Sequence, residues 1–480
     1  MRKYIHYLIF SAILFTSCAP AAKTTADRPP LPLTDCVLTS PGGKIQVDAQ
    51  CGSLSVPENP SDLQGRQVVL NIAVVPAIKR IPEPDPLVVL VGGPGQAAVE
   101  IFPIMYSTLF SVHQKRDIVL VDQRGTGKSN PLRCLDPEEE ILDDEQVIAL
   151  LKACPDTLNA DLGYYTTDIA MQDLDAVREA LGYEHLNLYG VSYGTRAALV
   201  YLKMFPQHVR SIVLDAVVDP SFVIYQDVPQ DGQEALELFF ARCEADPACN
   251  DMYPNLQAEF DSLVQRLKDE PVDTILPHPI TGKQLELTVT ITMLSNIVFN
   301  TLYTPELMAT LPLAIHQAYA GDNFAPLITL SFLADAGIYD GMFYAVACTE
   351  DAPLLSSDGT HDGLFGGNVR TFMDVCSTWQ TGELPSVIHK TVSSDVPTLL
   401  LSGEADPITP PRHAEELAET LSNNIHLIFK GMGHGNASNQ CGARIVADFI
   451  ENASINDLDT SCVENVEPPP FFVDFSGPQP

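Results

Sequence analysis

The stretch HLNLYGVSYGTRA (residues 185–197) decides the fold. It begins as a short apolar strand pattern, passes through a G-x-S-x-G turn centred on Ser192, and continues as a helix pattern. Side chains at Gly190 and Gly194 would clash on so tight a turn, and the strain of the turn holds the serine hydroxyl out over the sheet edge. We therefore predict that Ser192 is a nucleophile on a strand-to-helix turn; a purely structural glycine turn is the alternative.

A serine hydroxyl is a weak nucleophile unless a histidine removes its proton and an acid orients that histidine. On this type of turn the chain order is serine, acid, histidine. Asp406 follows an apolar strand pattern in LLLSGEADPITPP, and His434 lies in KGMGHGNAS after the last strand pattern. We predict Asp406 as the orienting acid, with Glu404 as its rival, and His434 as the general base.

Acyl transfer also requires N–H donors that are directed at the developing oxyanion. One donor belongs to the residue after the nucleophile, Tyr193, and the other to a glycine-rich loop after an early strand. The sequence VLVGGPGQ supplies such a loop, and we assign Gly93 as the second donor. The alternative for this loop is a plain turn.

Short strand patterns alternate with helix patterns through much of the chain. The strand candidates are VVLNIAVVPAI, PLVVLVGG, RDIVLVDQ, HLNLYGVS, SIVLDAVV, VPTLLLSGEA and IHLIFKGMG. Between the third and fourth of them, TTDIAMQDLDAVREALGY places Ala170, Leu174, Val177 and Leu181 on one helical face behind a threonine cap. Strands that alternate with helices predict an α/β fold with a mainly parallel central sheet.

The segment 219–395 differs from the rest of the chain because its patterns are mostly helical. We predict that it is a mainly helical cap domain, inserted between strands 6 and 7 over the carboxyl edge of the sheet, where it forms the substrate pocket. The core is then divided into an amino-terminal part, 36–218, and a carboxyl-terminal part, 396–465. The proline-rich tail, 466–480, is predicted to be irregular.

The charge balance excludes some partners. The chain has 480 residues, of which 45% are hydrophobic, as in an ordinary globular protein. Its 62 acidic and 27 basic residues give a net charge of −35. So negative a field disfavours nucleic acid and anionic membrane surfaces, and we predict no nucleic-acid partner. We interpret the charge as a solvated surface that keeps a secreted protein soluble.

The amino terminus has the layout of a secretory signal. Two basic residues precede the apolar run YLIFSAILF, and FTSC, which ends at Cys18, resembles a bacterial lipobox. Nine apolar residues are too few to span a bilayer as a helix. We predict a signal peptide over 1–17, acylation of Cys18, and a lipid-anchored tether over 18–35. The membrane is then contacted through this anchor alone, and a plain signal peptide cut near CAPAA is the alternative.

The cysteine count agrees with an oxidising compartment. The chain has 11 cysteines, and setting Cys18 aside leaves an even ten. Neighbours along the chain suggest the pairs Cys36 with Cys51, Cys134 with Cys154, Cys243 with Cys249, Cys348 with Cys376, and Cys441 with Cys462. Because no Cys or His spacing is typical of a zinc site, no metal or other cofactor is predicted.

The stretch VDQRGTGKSN ends like a nucleotide-binding P-loop. The full pattern needs a glycine five positions before Gly127, where this chain has Asp122, whose carboxylate would repel a phosphate. We interpret the stretch instead as a turn near the GGPG loop. We predict that Asp122 and Arg124 form a partly buried ion pair that braces this loop, and that Lys128 is solvated.

The motifs GGPG, DQRGTGKS, GVSYGT, GEADPITP and GMGHG, in this order and spacing, resemble the prolyl aminopeptidase and tripeptidyl aminopeptidase group of α/β hydrolases. The resemblance covers nearly the whole mature chain and implies a serine exopeptidase that acts on peptides with a free N-terminus. Motif by motif, it assigns the nucleophile to Ser192, the acid to Asp406, the base to His434, and the oxyanion hole to Gly93 and Tyr193. Val91 departs from the pattern, because many relatives have His before GGPG.

An aminopeptidase of this kind must bind a protonated α-amine, and acidic side chains from the cap are the physical means. VACTEDAP offers Glu350 and Asp351 as candidates, with ordinary surface carboxylates as the alternative. The leading hypothesis is a serine aminopeptidase of the bacterial cell envelope, in the periplasm or on the outer surface. A carboxylesterase or lipase-like enzyme on the same fold is the nearest rival, and a non-catalytic binding lipoprotein is a third possibility.

Overall fold

The computed structural model describes residues 31–135, 144–219, 221–279, 281–333, 337–355, 363–380 and 382–479. The predicted signal peptide, Cys18 and most of the predicted tether lie outside these ranges. In the described ranges, no helix combines the length and the apolar character needed to cross a bilayer.

The described strands are β1 (Thr34–Thr39), β2 (Gln46–Pro57), β3 (Gln67–Val75), β4 (Leu87–Leu90), β5 (Ile118–Val121), β6 (Leu186–Val191), β7 (Val209–Asp215), β8 (Val272–Pro277), β9 (Gln284–Val289), β10 (Thr398–Gly403), β11 (Asn424–Phe429), β12 (Phe472–Asp474) and β13 (Gly477–Pro478).

The described α-helices are α1 (Ala98–His113), α2 (Asp144–Ala153), α3 (Thr167–Leu181), α4 (Tyr193–Met204), α5 (Val228–Ala245), α6 (Pro247–Met252), α7 (Leu256–Asp269), α8 (Ile291–Leu302), α9 (Pro305–Met308), α10 (Leu311–Gly321), α11 (Ala325–Leu333), α12 (Asp340–Glu350), α13 (Gly366–Cys376), α14 (Pro411–Ala418) and α15 (Gln440–Asn452). Short 3-10 helices connect several of these elements.

A nine-stranded sheet in the order β1-β2-β3-β5-β4-β6-β7-β10-β11 forms the centre of the molecule. The first three strands and the β3–β5 pair are antiparallel, and every later pair from β5 to β11 is parallel. The predicted α/β fold with a mainly parallel sheet is confirmed. The sheet contains two strands, β1 and β2, that are not among the seven predicted strand candidates. Counted along the chain, the insertion therefore lies between its seventh and eighth strands, β7 and β10.

Strand β4 illustrates that both faces of the sheet are buried. All four of its residues are buried. Val88 and Leu90 pack into the cluster that contains α3 and α4, whereas Leu87 and Val89 pack into the cluster that contains α1 and α15. Because successive side chains point to opposite faces, an unbroken apolar run is required of a strand that is covered on both sides.

Helix α3 buries the predicted apolar face. Ala170, Leu174 and Val177 are buried on it. Thr166 occupies the N-cap position, but its hydroxyl donates to the Asp168 carboxylate at 2.6 Å and makes no capping bond. The predicted helix is therefore present, but the predicted threonine cap is not. The Thr166 hydroxyl bonds the Asp168 side chain instead of a backbone N–H group.

The segment between β7 and β10 contains helices α5 to α13 and has an apolar core of its own. Its helical character agrees with the pattern, whereas the antiparallel pair of β8 and β9 was not predicted. The described part of the tail is also more ordered than predicted, because β12 and β13 pair and Phe471 packs into the core of the inserted segment. The exact domain limits stay a prediction.

The ten described cysteines form five disulfides, in the five pairs predicted from neighbouring positions. The first joins β1 to β2, and the last joins α15 to the segment before the tail. Disulfides persist in oxidising compartments, so they indicate a location outside the cytoplasm.

Candidate active site

Ser192 lies on the sharp turn between β6 and α4. Its φ of 58° and ψ of −129° are strained for a residue with a side chain. A Cβ on Gly190 would lie 2.4 Å from the Gly194 carbonyl oxygen, and one on Gly194 would lie 2.0 Å from the Leu90 carbonyl oxygen. Only glycine fits at both positions. The local sequence therefore forces a turn that presents the serine at the carboxyl edge of the sheet.

The loops after β10 and β11 bring Asp406 and His434 together. His434 Nδ1 lies 2.7 Å from the Asp406 Oδ2 atom. The Asp406 carboxylate also accepts bonds from the Thr409 N–H at 3.0 Å and the Thr409 hydroxyl at 2.7 Å. Burial alone would raise the pKa of Asp406, but the charge and hydrogen bond of His434 and the Thr409 donors lower it below its usual value. Asp406 is therefore held as an anion.

The His434 imidazole is nearly buried. Its backbone N–H donates to the Tyr303 carbonyl at 2.8 Å, and the two rings meet edge to face with centroids 4.9 Å apart. Burial alone would lower the pKa of His434, but the Asp406 charge and hydrogen bond, and the Asp215 charge, raise it above 6.5. The two carboxylates, Asp406 and Asp215, therefore stabilise the protonated form of the His434 ring.

Asp215 also belongs to the site, although it was not predicted from the sequence. It ends β7, is fully buried, and accepts the backbone N–H groups of Asn436 at 2.7 Å and Ala437 at 2.8 Å. Its own carbonyl accepts the Ser192 N–H at 2.9 Å. Asp215 therefore ties the His434 loop to the nucleophile turn. The available signal was a carboxylate that ends an apolar strand pattern in SIVLDAVV.

The GGPG loop packs directly against the serine. A Cβ on Gly92 would lie 3.1 Å from the Ser192 Cβ atom. Within the described residues, the backbone N–H groups of Gly93 and Tyr193 have no hydrogen-bond partner. Both residues line the same cavity as Ser192. Val91, where the resembling proteins often have histidine, is a buried apolar residue of the sheet core.

A cavity of about 470 Å³ opens at the serine. Its lining is mainly apolar and aromatic, and the inserted segment supplies most of it. Thr409 and Tyr303, which contact His434, also line this cavity, whereas His434 itself lines an adjoining depression together with Asp215. The volume lies within the range of small-molecule sites.

Comparison with known families agrees with this geometry. Residues 85–251 match the family model described as alpha/beta hydrolase fold, and residues 363–462 match the model described as TAP-like protein. The chain is an α/β hydrolase with a TAP-like carboxyl-terminal region. Ser192 lies within the first matched range, and Asp406 and His434 lie within the second.

The relatives of this hydrolase are named for different activities. It is 27% identical over 449 residues to the "Serine protease Hip1" of Mycobacterium tuberculosis, and the matched region covers 84% of this chain and 85% of the relative. It is 25% identical over 460 residues to the "Tripeptidyl aminopeptidase" of Streptomyces lividans, covering 88% and 85%. It is 27% identical over 470 residues to the "Carboxylesterase B" of Mycobacterium tuberculosis, covering 86% of each chain. The hydrolase is a serine hydrolase of the TAP-like family.

Glu404, the rival acid of the hydrolase, lies elsewhere. Its side chain is exposed and accepts the Gly431 N–H at 2.9 Å. The structure thus brings Asp406, and not Glu404, to the histidine.

Glu350 and Asp351 do not reach the cavity of the hydrolase. Both are fully buried, and neither is among the described residues that line it. Asp351 is paired with Arg196 at 2.9 and 3.0 Å, and Glu350 accepts two bonds from Thr167. Burial raises the pKa of Glu350 to about 7, against the opposing effects of Arg196 and Thr167. Two carboxylates with internal partners are poorly placed to receive a substrate amine.

The predicted pair of Asp122 and Arg124 is wrong. Arg124 is fully buried and forms a fork with Asp173 at 2.7 and 2.8 Å. Asp122 instead accepts the Val99 N–H at 2.9 Å, at the start of the helix that follows the GGPG loop, and the Lys128 N–H at 3.2 Å. Asp122 therefore braces the loop through backbone donors, and the Lys128 side chain is exposed as predicted.

Proposed function

We propose that this hydrolase is a serine exopeptidase that cleaves peptides from a free N-terminus through an acyl-enzyme. The oriented pair of Asp406 and His434, the strained turn at Ser192 and the cavity beside it support a nucleophilic mechanism. The relatives named as a serine protease and as a tripeptidyl aminopeptidase support a peptide substrate.

In the proposed mechanism, the Ser192 oxygen attacks the scissile carbonyl while His434 Nε2 takes the hydroxyl proton. The oxyanion that forms is stabilised by the N–H groups of Gly93 and Tyr193. His434 then returns the proton to the leaving amine, which leaves an acyl group on Ser192. A water molecule, activated by the same histidine, hydrolyses that ester and restores the serine. Asp406 stays ionised and stabilises the imidazolium in both halves.

A carboxylate in the cavity supports the preference for a free N-terminus. Asp144 is the sole charged side chain among the described residues that line the cavity at Ser192. It is half-buried and begins α2, where it accepts the Thr290 hydroxyl at 3.2 Å. A carboxylate in a largely apolar cavity attracts a cation more strongly than it would in water. We assign the α-ammonium of the substrate to Asp144, in place of Glu350 and Asp351.

The substrate class is tested with matched fluorogenic peptides that have free and acetylated N-termini, together with short acyl esters. The proposal expects cleavage of the free peptides by the wild-type protein and none by Ser192→Ala. Equal cleavage of free and acetylated peptides would overturn the exopeptidase assignment.

The role of Asp144 is tested by Asp144→Asn, with Glu145→Gln as the matched control. Glu145 is exposed, lies next to Asp144 on α2, and is not a cavity residue. Loss of a charge-assisted hydrogen bond of about 1.5–3 kcal/mol would raise KM for free peptides roughly 10- to 100-fold. KM for a short acyl ester and the kinetics of Glu145→Gln are expected to stay unchanged. An unchanged KM for free peptides would remove Asp144 from the proposal.

An ester hydrolase is the second candidate function. The mainly apolar lining of the cavity and the relative named as a carboxylesterase favour it. It predicts that short acyl esters are turned over faster than every peptide in the panel. A third reading, a binding protein without catalysis, predicts that a fluorophosphonate probe does not label Ser192.

Attachment to the cell envelope is a separate part of the proposal. The disulfides support an oxidising compartment, and the lipobox-like FTSC stretch supports acylation of Cys18. The full-length protein is expected in the detergent phase of a Triton X-114 partition, and Cys18→Ala in the aqueous phase. Aqueous partition of the wild-type protein would contradict the anchor.

A further inference from the structure

A buried chain of hydrogen bonds connects the inserted segment to the residue after the nucleophile. It begins at Glu350, the last residue of α12, whose carboxylate is fully buried. Its two oxygens accept the Thr167 N–H at 2.6 Å and the Thr167 hydroxyl at 2.9 Å. Thr167 is the first residue of α3, so Glu350 caps that helix from another part of the chain.

The chain of bonds continues to Tyr193. The Thr167 Oγ1 atom lies 2.7 Å from the Tyr193 hydroxyl. Tyr193 is 2% exposed and begins α4 directly after Ser192. Because Thr167 holds the phenol oxygen, the position of this side chain sets the orientation of the first turn of α4, which carries the Tyr193 N–H.

A second contact holds the same helix from the same side. Arg196, one turn along α4, donates to both Asp351 oxygens at 2.9 and 3.0 Å. The Arg196 guanidinium also lies 3.7 Å from Glu350. Adjacent carboxylates of the inserted segment thus hold α4 at two points, one of them through Thr167. Two fixed points on a single helical turn leave it little freedom to rotate.

We propose that Glu350 is a positioning residue that acts through Thr167 and the Tyr193 phenol to hold the Tyr193 N–H in the oxyanion hole. The inference rests on the proposed role of that N–H. A backbone donor contributes to catalysis only if it is directed at the point where the negative charge develops. Loosening this chain of bonds therefore slows acylation and leaves ground-state binding of the substrate nearly unchanged.

Tyr193→Phe, Thr167→Val and Glu350→Gln each interrupt the chain at one link. Tyr201→Phe is the matched control, because Tyr201 lies on the same helix and donates its phenol proton to Asp175 at 2.9 Å, outside the site. The readouts are kcat and KM on the best substrate of the panel, the rate of fluorophosphonate labelling, and the melting temperature.

We expect kcat and the labelling rate to fall between about 10- and 100-fold in Tyr193→Phe and Thr167→Val, since small misplacements of catalytic groups have effects of this size. KM should stay within about twofold, a split that indicates loss of transition-state stabilisation. The double variant should lose no more than either single variant, because both interrupt one path. Thr167→Ser, which keeps the hydroxyl, should restore kcat. Tyr201→Phe should lower the melting temperature and leave kcat unchanged.

Tyr193→Phe and Thr167→Val with wild-type kcat, or with losses that add in the double variant, would overturn the inference. If Glu350→Gln does not fold, these two variants still decide the question. A wild-type protein that is neither active nor labelled would instead contradict the proposed function, so the two failures are distinguishable.

Discussion

The Asp406 Oδ2 atom lies 2.7 Å from His434 Nδ1. Because an ionised carboxylate can only accept, this contact requires that Nδ1 carries a proton, which leaves Nε2 of the neutral ring free to accept one. The Thr409 hydroxyl also donates to Oδ2 at 2.7 Å and fixes the direction in which the carboxylate faces the ring. The relationship sets both the tautomer and the orientation of the histidine.

The first prediction concerns this tautomer. Asp406→Asn presents an amide in place of the carboxylate and favours the wrong tautomer of His434, so kcat should fall by about 10⁴-fold with little change in fold. Steady-state kinetics and circular dichroism measure the two effects. Glu404→Gln is the matched control, because Glu404 is an exposed acid two residues away and should be dispensable. Loss of activity in Glu404→Gln alone would reverse the assignment of the acid.

The second prediction is the pH profile. His434 acts as a base only when it is neutral, and its pKa is raised above 6.5 by Asp406 and then by Asp215. Activity should therefore fall with decreasing pH through an apparent pKa above 6.5 in the profile of kcat/KM. Asp215→Asn removes one negative charge near the ring, so the acid limb should move to lower pH. A limb that does not move would show that Asp215 acts only through its backbone contacts.

The third prediction concerns the buried pair of Arg124 and Asp173. Arg124→Met leaves the Asp173 carboxylate without its partner, so the free energy of unfolding should fall by about 3–5 kcal/mol. Arg266→Met is the control, because the pair of Arg266 and Asp322 is exposed and should contribute about 1 kcal/mol or less. Urea denaturation measures both. Similar losses in the two variants would contradict a structural role that depends on burial.

Features formed by neighbours along the chain were predictable from sequence. Each disulfide joins cysteines that are close in the chain, with separations between 6 and 28 residues. The turn at Ser192 follows from steric limits on Gly190 and Gly194, which the sequence displays directly. The meeting of Asp406 with His434 follows from two adjacent parallel strands, β10 and β11, whose carboxyl ends share one edge of the sheet.

Pairings between distant charged residues were not predictable. Arg124 finds Asp173 49 residues away instead of Asp122, because the partner depends on how α3 packs and not on spacing. The same reason applies to Glu350, the last residue of α12. The spacing of apolar residues does not show which part of the molecule the end of a helix faces. An acidic residue at the end of a helix is equally compatible with solvent, a cavity or a buried threonine, and only the packing of α12 against α3 selects the last.

The last prediction concerns the carboxyl-terminal tail, which connects the core to the inserted segment. Phe471 is 2% exposed, and the Arg242 guanidinium lies over its ring at 4.0 Å from the centroid. The next residue, Phe472, donates its N–H to the Ala309 carbonyl at 2.9 Å. The tail therefore fills part of the apolar core of the inserted segment.

Phe471→Ala leaves a cavity in that core and should lower stability by about 3–5 kcal/mol. The loss should be localised, because this apolar cluster is distinct from the two clusters that cover the sheet. Hydrogen exchange should therefore accelerate in α5 and α10 before it accelerates in β4 and β6.

Phe475→Ala is the matched control on the same tail, since Phe475 is 70% exposed and its loss should change stability by about 0.5 kcal/mol or less. Uniform acceleration across both regions in Phe471→Ala would mean that the inserted segment and the sheet unfold as one unit, and that the tail stabilises the whole molecule instead of one part of it.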